Sequence, residues 1–122
     1  MATVLRGSDN FDSASGFKSV GTLKAWVNFN GTGTVAIRAS GNVSSITDNG
    51  AGAYTVNLTT AMSDTNYSTV TGGSVNASGS SNASPRQGPD ASVISTSGVS
   101  IHTAFDNGAW VDWAQVNVAI FR

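Results

Sequence analysis

Along residues 23–30, apolar and polar side chains alternate one by one. Leu23, Ala25, Val27 and Phe29 fall on one side; Lys24, Trp26, Asn28 and Asn30 fall on the other. A two-residue period sends successive side chains to opposite faces of an extended strand, and a helix does not reproduce it. The same period returns at Tyr54, Val56 and Leu58, and again at Ala114, Val116, Val118 and Ile120. Between these runs stand Asn30-Gly31, Asn49-Gly50 and Asn107-Gly108, pairs that accept the positive φ of tight hairpin turns. No segment carries a sustained apolar stripe at helical spacing, so the chain reads as all-β.

The turn signals divide the chain into strands over 23–30, 34–40, 43–47, 53–59, 67–71, 93–97, 99–105 and 110–121, with Gly72-Gly73 ending the fifth. Seven or eight short strands at this spacing form a sandwich or a barrel-like domain. A length of 122 residues fits one domain. The expected fold is an antiparallel β-sandwich, jelly-roll-like, over residues 23–122. Residues 1–22 are less patterned and read as an N-terminal arm or attachment segment. Residues 74–92 hold both prolines and almost no large apolar side chain. They read as a long surface loop or as two short edge strands with a loop between them.

Charged residues make up only 11% of the chain, less than half the usual share. Ser, Thr, Asn and Gly supply the polarity instead. Strand faces opposite the aliphatic side carry Trp, Asn, Gln and Ser in place of Lys and Glu. Such faces suit burial against copies of the same chain better than open water. Symmetric closure would also cover exposed strand edges, so association of sister chains is expected. A net charge of −1 gives no electrostatic footprint for nucleic acid. No apolar run reaches a membrane-spanning length, and no membrane insertion is expected. The absence of cysteine rules out disulfides and thiolate chemistry.

The segment Lys24-Ala25-Trp26-Val27-Asn28-Phe29-Asn30-Gly31-Thr32-Gly33-Thr34, continuing through Val43-Ser44-Ser45-Ile46-Thr47-Asp48-Asn49-Gly50 and Tyr54-Thr55-Val56-Asn57, resembles a module of bacteriophage tail fibres and related virion proteins. The closing run Val116-Asn117-Val118-Ala119-Ile120-Phe121 resembles that module's last strand. The resemblance implies a homotrimeric β-domain at the tip of a fibre, meeting the host surface. The sequence opens at Met1 with no shaft ahead of the module. The expectation therefore divides between a tail-fibre tip and a capsid decoration or cement protein clamped by its N-terminal arm. Either way the expected location is the virion, and the expected partners are sister chains, other virion proteins and a host glycan or protein.

Candidate contacts follow from this reading. The loop at 74–92 offers Asn82, Arg86, Gln87 and Asp90 to a receptor, and Trp110, beside a turn, offers an exposed ring. If the aliphatic faces form the core, Trp26, Asn28, His102, Trp113, Gln115 and Asn117 point outward and are subunit-interface candidates. The opposite phase, with the indoles inward, satisfies the same alternation. Exposed Trp marks either an interface or a sugar-stacking platform.

Enzymatic chemistry finds little support. His102 is the only histidine, and no Gly-x-Ser-x-Gly elbow accompanies it. There is no Glu, and Asp48 and Asp106 each precede Asn-Gly, where a carboxylate commonly caps its own turn. Glycosidase chemistry needs two carboxyl groups facing one cleft, which leaves a polysaccharide depolymerase as the third reading. Asp9 and Asp12 match no known calcium loop. Three copies of His102 on a trimer axis could bind a metal, but a hydrogen-bonded surface histidine is the simpler assignment, and no metal or cofactor is expected. Six Asn-x-Ser/Thr sequons occur, at Asn30, Asn42, Asn57, Asn66, Asn76 and Asn82, as a Ser/Thr-rich composition produces without glycosylation.

Overall fold

The computed structural model describes residues 22–76, 94–105 and 107–122. Seven strands run through them: β1 (Leu23–Asn30), β2 (Ala36–Gly41), β3 (Val43–Gly50), β4 (Ala53–Leu58), β5 (Ser68–Ser74), β6 (Gly98–His102) and β7 (Gln115–Phe121). They form a four-stranded sheet in the order β2-β1-β7-β5 and a three-stranded sheet in the order β3-β4-β6. Every pairing is antiparallel. The antiparallel β-sandwich expected from alternation is thus the architecture observed. Its strands divide four and three, where a full jelly roll has eight.

The inner faces follow the two-residue period. Ala25, Val27 and Phe29 of β1 and Val116, Val118 and Ile120 of β7 are buried against Tyr54, Val56 and Leu58 of β4 and Val99 and Ile101 of β6. Each fully buried aliphatic or aromatic side chain contributes about 1.5–3 kcal/mol of transfer free energy. Phe29 meets Tyr54 edge to face across the two sheets, with ring centroids 5.2 Å apart.

The turns sit where Asn and Gly signalled them. Asn30 closes the β1–β2 connection by accepting from Thr32 N and donating to Thr32 O, both at 3.1 Å. Asp48 caps the β3–β4 hairpin by accepting from Gly50 N at 3.0 Å. Gly41-Asn42 carries the chain from one sheet to the other. Asn42 adopts φ 56°, a conformation that short polar side chains tolerate. Its amide donates to Lys24 O and Thr60 O, and its Oδ1 accepts from Thr60 N at 2.7 Å. One side chain therefore ties β1 to the segment after β4.

Three expectations need correction. Strand β5 continues through Gly72-Gly73 to Ser74 instead of ending there. The last strand begins at Gln115, not at residue 110, and Trp110 takes part only in an isolated bridge with Ala104. Trp113, expected on the outer face as an interface residue, is completely buried. The three share a cause. Ala114 lies in a bend ahead of β7, and Ala114 N donates to Val75 O at 3.1 Å, so the alternation of β7 does not extend back to Trp113. The Trp113 ring packs against β5: a Cβ on Gly73 would stand 3.2 Å from its Cε3 and 2.1 Å from Gln115 O. Gly73 therefore makes room for an indole and for a closely approaching strand. Residues 94–97 are likewise irregular, and β6 starts at Gly98. Phe105, grouped by parity with Val99 and Ile101, is exposed past the end of β6.

Candidate functional site

The outward side of the four-stranded sheet gathers exposed large apolar side chains, Trp26, Val70 and Phe121. Strand register assembles it in two rows. Trp26 is flanked by Gly41 on β2 and Ala119 on β7, with Val70 of β5 beyond Ala119. Asn28 is flanked by Ala39 and Asn117, with Gly72 beyond. Phe121 continues the face along β7. The indole lies over Gly41, where a Cβ would stand 2.4 Å from Trp26 Nε1. Tall side chains on small neighbours leave a groove of about 400 Å³ lined by Trp26, Asn28, Val70, Gly72, Asn117 and Ala119. Trp26 and Phe121 are each 39% exposed and Val70 is 59% exposed.

The polar content of this face is amide groups and one guanidinium, that of Arg38. Asn28 Nδ2 donates to Asn117 Oδ1 across the β1–β7 pair. Arg38 crosses from β2, donating to Ala114 O at 2.6 Å, with Asn28 Oδ1 at 3.5 Å. Gln115 pairs with Ser74 at the far end of the same face and is half-buried. Of the interface candidates, Trp26, Asn28, Gln115 and Asn117 therefore gather on one surface, and Trp113 does not.

His102 lies elsewhere, at the end of β6, where its ring stacks on Trp110 with centroids 4.1 Å apart and an interplanar angle of 32°. A small hairpin holds Trp110 in place. Ala104 bridges Trp110, Phe105 N donates to Ala109 O at 2.9 Å, and Gly108 N donates to Phe105 O at 2.9 Å. Trp110 is 56% exposed, as its place beside a turn suggested. The remaining receptor candidates, Asn82, Arg86, Gln87 and Asp90, lie outside the described residues, as do Asp9, Asp12 and Asp106.

The outward side of the three-stranded sheet differs from both. Asn57 Nδ2 donates to Ser45 Oγ at 3.1 Å and to Thr47 Oγ1 at 2.9 Å. Asn49 Nδ2 donates to Thr55 Oγ1 at 2.8 Å, and Thr55 Oγ1 shares a hydrogen bond of 3.0 Å with Ser100 Oγ. These groups satisfy one another, so the surface is polar yet largely self-contained.

The described carboxylates are all engaged. Asp48 caps its turn. Asp64 pairs with Arg122, whose guanidinium holds the Asp64 carboxyl below its usual range, and it also accepts from Asn66 N at 2.8 Å. Asp112 Oδ1 accepts from Gly52 N at 2.7 Å and from the Tyr54 hydroxyl at 2.8 Å. That hydroxyl also faces Gly31 O at 3.0 Å. Burial, reinforced by the Asp112 carboxylate, raises the Tyr54 pKa well above the ordinary tyrosine value. Sequence reasoning left Asp112 and Tyr54 unconnected, because nothing local relates residues 58 positions apart. Among the described residues no three His, Asp or Glu side chains converge on a point, and no helix is long and apolar enough to cross a membrane.

No family model matches the chain, and neither a curated protein nor a solved structure does.

Proposed function

We propose that the chain is a structural protein of a tailed-phage virion, a domain of the tail-fibre tip that works as a homotrimer and contacts the host cell surface. One observation carries the reading: the outward side of the four-stranded sheet presents Trp26, Val70 and Phe121 around a floor of Gly, Ala and Asn. Large apolar side chains gathered on an exposed sheet face are chemically suited to cover by a sister chain. The resemblance of the Lys24–Thr34 run and of the closing strand to fibre-tip modules points the same way. Host contact then falls to the exposed Trp110 ring and to the segment 74–92 that the sequence offers for it. Weak contacts repeated on each subunit gain strength through multivalency.

The test is adsorption. The purified protein, first shown to be trimeric by sedimentation, should bind host cells and compete with phage for them, and Trp110→Ala should weaken that competition without altering the trimer. A correctly folded trimer that leaves adsorption untouched removes host contact from the proposal. Binding to phage heads in its place would assign the protein to the capsid surface.

A further inference from the structure

The chain contains three Asn-Gly pairs, all within the described residues, and the fold treats them unequally. Asn-Gly is the dipeptide most prone to self-modification. The Gly nitrogen attacks the Asn side-chain carbonyl carbon, Cγ, and a C–N bond forms. The Cγ–Nδ2 bond breaks, and ammonia leaves with the proton given up by the Gly nitrogen. Water then opens the cyclic imide to aspartate or isoaspartate. The reaction needs a Gly N–H free to lose its proton and an Asn side chain free to swing onto it.

At Asn30-Gly31 neither condition holds. Gly31 N donates to Trp113 O at 2.8 Å, and Gly31 is buried. Both ends of the Asn30 amide are tied to Thr32, whose hydroxyl donates to Asn30 Oδ1 at 2.7 Å and whose backbone N and O complete the grip. At Asn107-Gly108 both holds come from the backbone of the small hairpin. Gly108 N donates to Phe105 O, and Ala109 N donates to Asn107 Oδ1, each at 2.9 Å. At Asn49-Gly50 both holds are side chains: the exposed Asp48 Oδ1 accepts from Gly50 N, and the half-buried Thr55 Oγ1 accepts from Asn49 Nδ2. Only one end of the Asn49 amide, Nδ2, is held by these bonds, and Oδ1 takes part in neither.

We infer that Asn49 is the deamidation site of the folded protein, with Asp48 as its principal brake. The Asp48 carboxylate occupies the Gly50 N–H and opposes the negative charge that develops on that nitrogen as its proton leaves. Isoaspartate at Asn49 would insert a backbone methylene beside the Gly50–Ala53 pair that closes the β3–β4 hairpin. This inference is independent of the phage reading.

The experiment ages the full chain in mildly alkaline buffer, with its fold checked by circular dichroism, and maps the products by peptide mass spectrometry with isoaspartate detection. Asn49 should convert first while Asn30 stays intact, and in the urea-unfolded chain the three pairs should convert at similar rates. Asp48→Ala should accelerate conversion at Asn49 several-fold and leave Asn30 unchanged. Conversion of Asn30 or Asn107 ahead of Asn49 in the folded protein overturns the assignment. An Asn49 rate unchanged by Asp48→Ala removes Asp48 as the brake.

Discussion

The Tyr54 hydroxyl donates to Asp112 Oδ1 at 2.8 Å, joining the middle of the three-stranded sheet to the segment that leads into β7. The same carboxylate oxygen receives Gly52 N, and the same hydroxyl faces Gly31 O. Three distant stretches of chain, at Gly31, at Gly52 to Tyr54 and at Asp112, thus meet around one phenol and one carboxylate. Tyr54→Phe removes a hydrogen bond to a charged acceptor and should lower unfolding free energy by roughly 1.5–3 kcal/mol, read from the urea midpoint at unchanged m-value.

That contact also sets an alkaline limit. The folded state holds the Tyr54 proton more tightly than the unfolded chain does. Below the ordinary tyrosine pKa, near 10, both states are protonated and the stabilisation is complete. Above it the unfolded chain ionises while the folded one does not, so stability falls as pH rises. Unfolding followed across the alkaline range should show this loss, and Tyr54→Phe should flatten it. A wild-type profile as flat as the variant's would contradict the assignment.

Trp26 is the tallest side chain on the outward face of the four-stranded sheet, and under the trimer proposal it anchors the interface. Trp26→Ser should weaken association by at least about 2 kcal/mol, roughly thirtyfold, because buried aromatic anchors dominate such interfaces. The far-UV spectrum should stay that of a β-protein. Sedimentation equilibrium decides it: a wild-type chain already monomeric in dilute solution ends the assembly half of the proposal.

Gly33 and Gly52 separate two costs of replacing a glycine. Both adopt left-handed φ, at 61° and 66°. A Cβ on Gly33 meets nothing within 4 Å, whereas one on Gly52 would stand 2.4 Å from Thr103 O and 2.7 Å from Val111 N. Gly33→Ala should cost only the conformational term, roughly 1–2 kcal/mol. Gly52→Ala adds a backbone clash and should cost a further ~1–3 kcal/mol in urea titrations.

Much of this fold was legible in the sequence. The alternation at Ala25, Val27 and Phe29 and at Val116, Val118 and Ile120 named the inner face of the four-stranded sheet, and Asn-Gly pairs marked the β1–β2 and β3–β4 connections. Trp26, Asn28, Gln115 and Asn117 could be assigned to one outward face because a strand's period fixes parity for as long as the strand lasts. Trp113 escaped because the bend at Ala114 interrupts that parity. Gly73 escaped for a related reason: glycine commonly ends strands, and only the Trp113 ring beside it explains why β5 runs on. The groove over Gly72 and the Asp112–Tyr54 contact depend on which strands become neighbours, which local pattern does not encode.

The order of strands in the four-stranded sheet has a consequence for biosynthesis. The last of the seven described strands in chain order, β7, is an interior one, hydrogen-bonded to β1 on one side and β5 on the other. Until residues 115–121 emerge, β1 and β5 have no common neighbour, and the apolar side of the β1–β2 hairpin has no completed sheet to belong to. The three-stranded sheet can form earlier, since β3, β4 and β6 all precede it. Nascent chains should therefore close the four-stranded sheet only once residues 115–121 have emerged, with the three-stranded layer waiting for it.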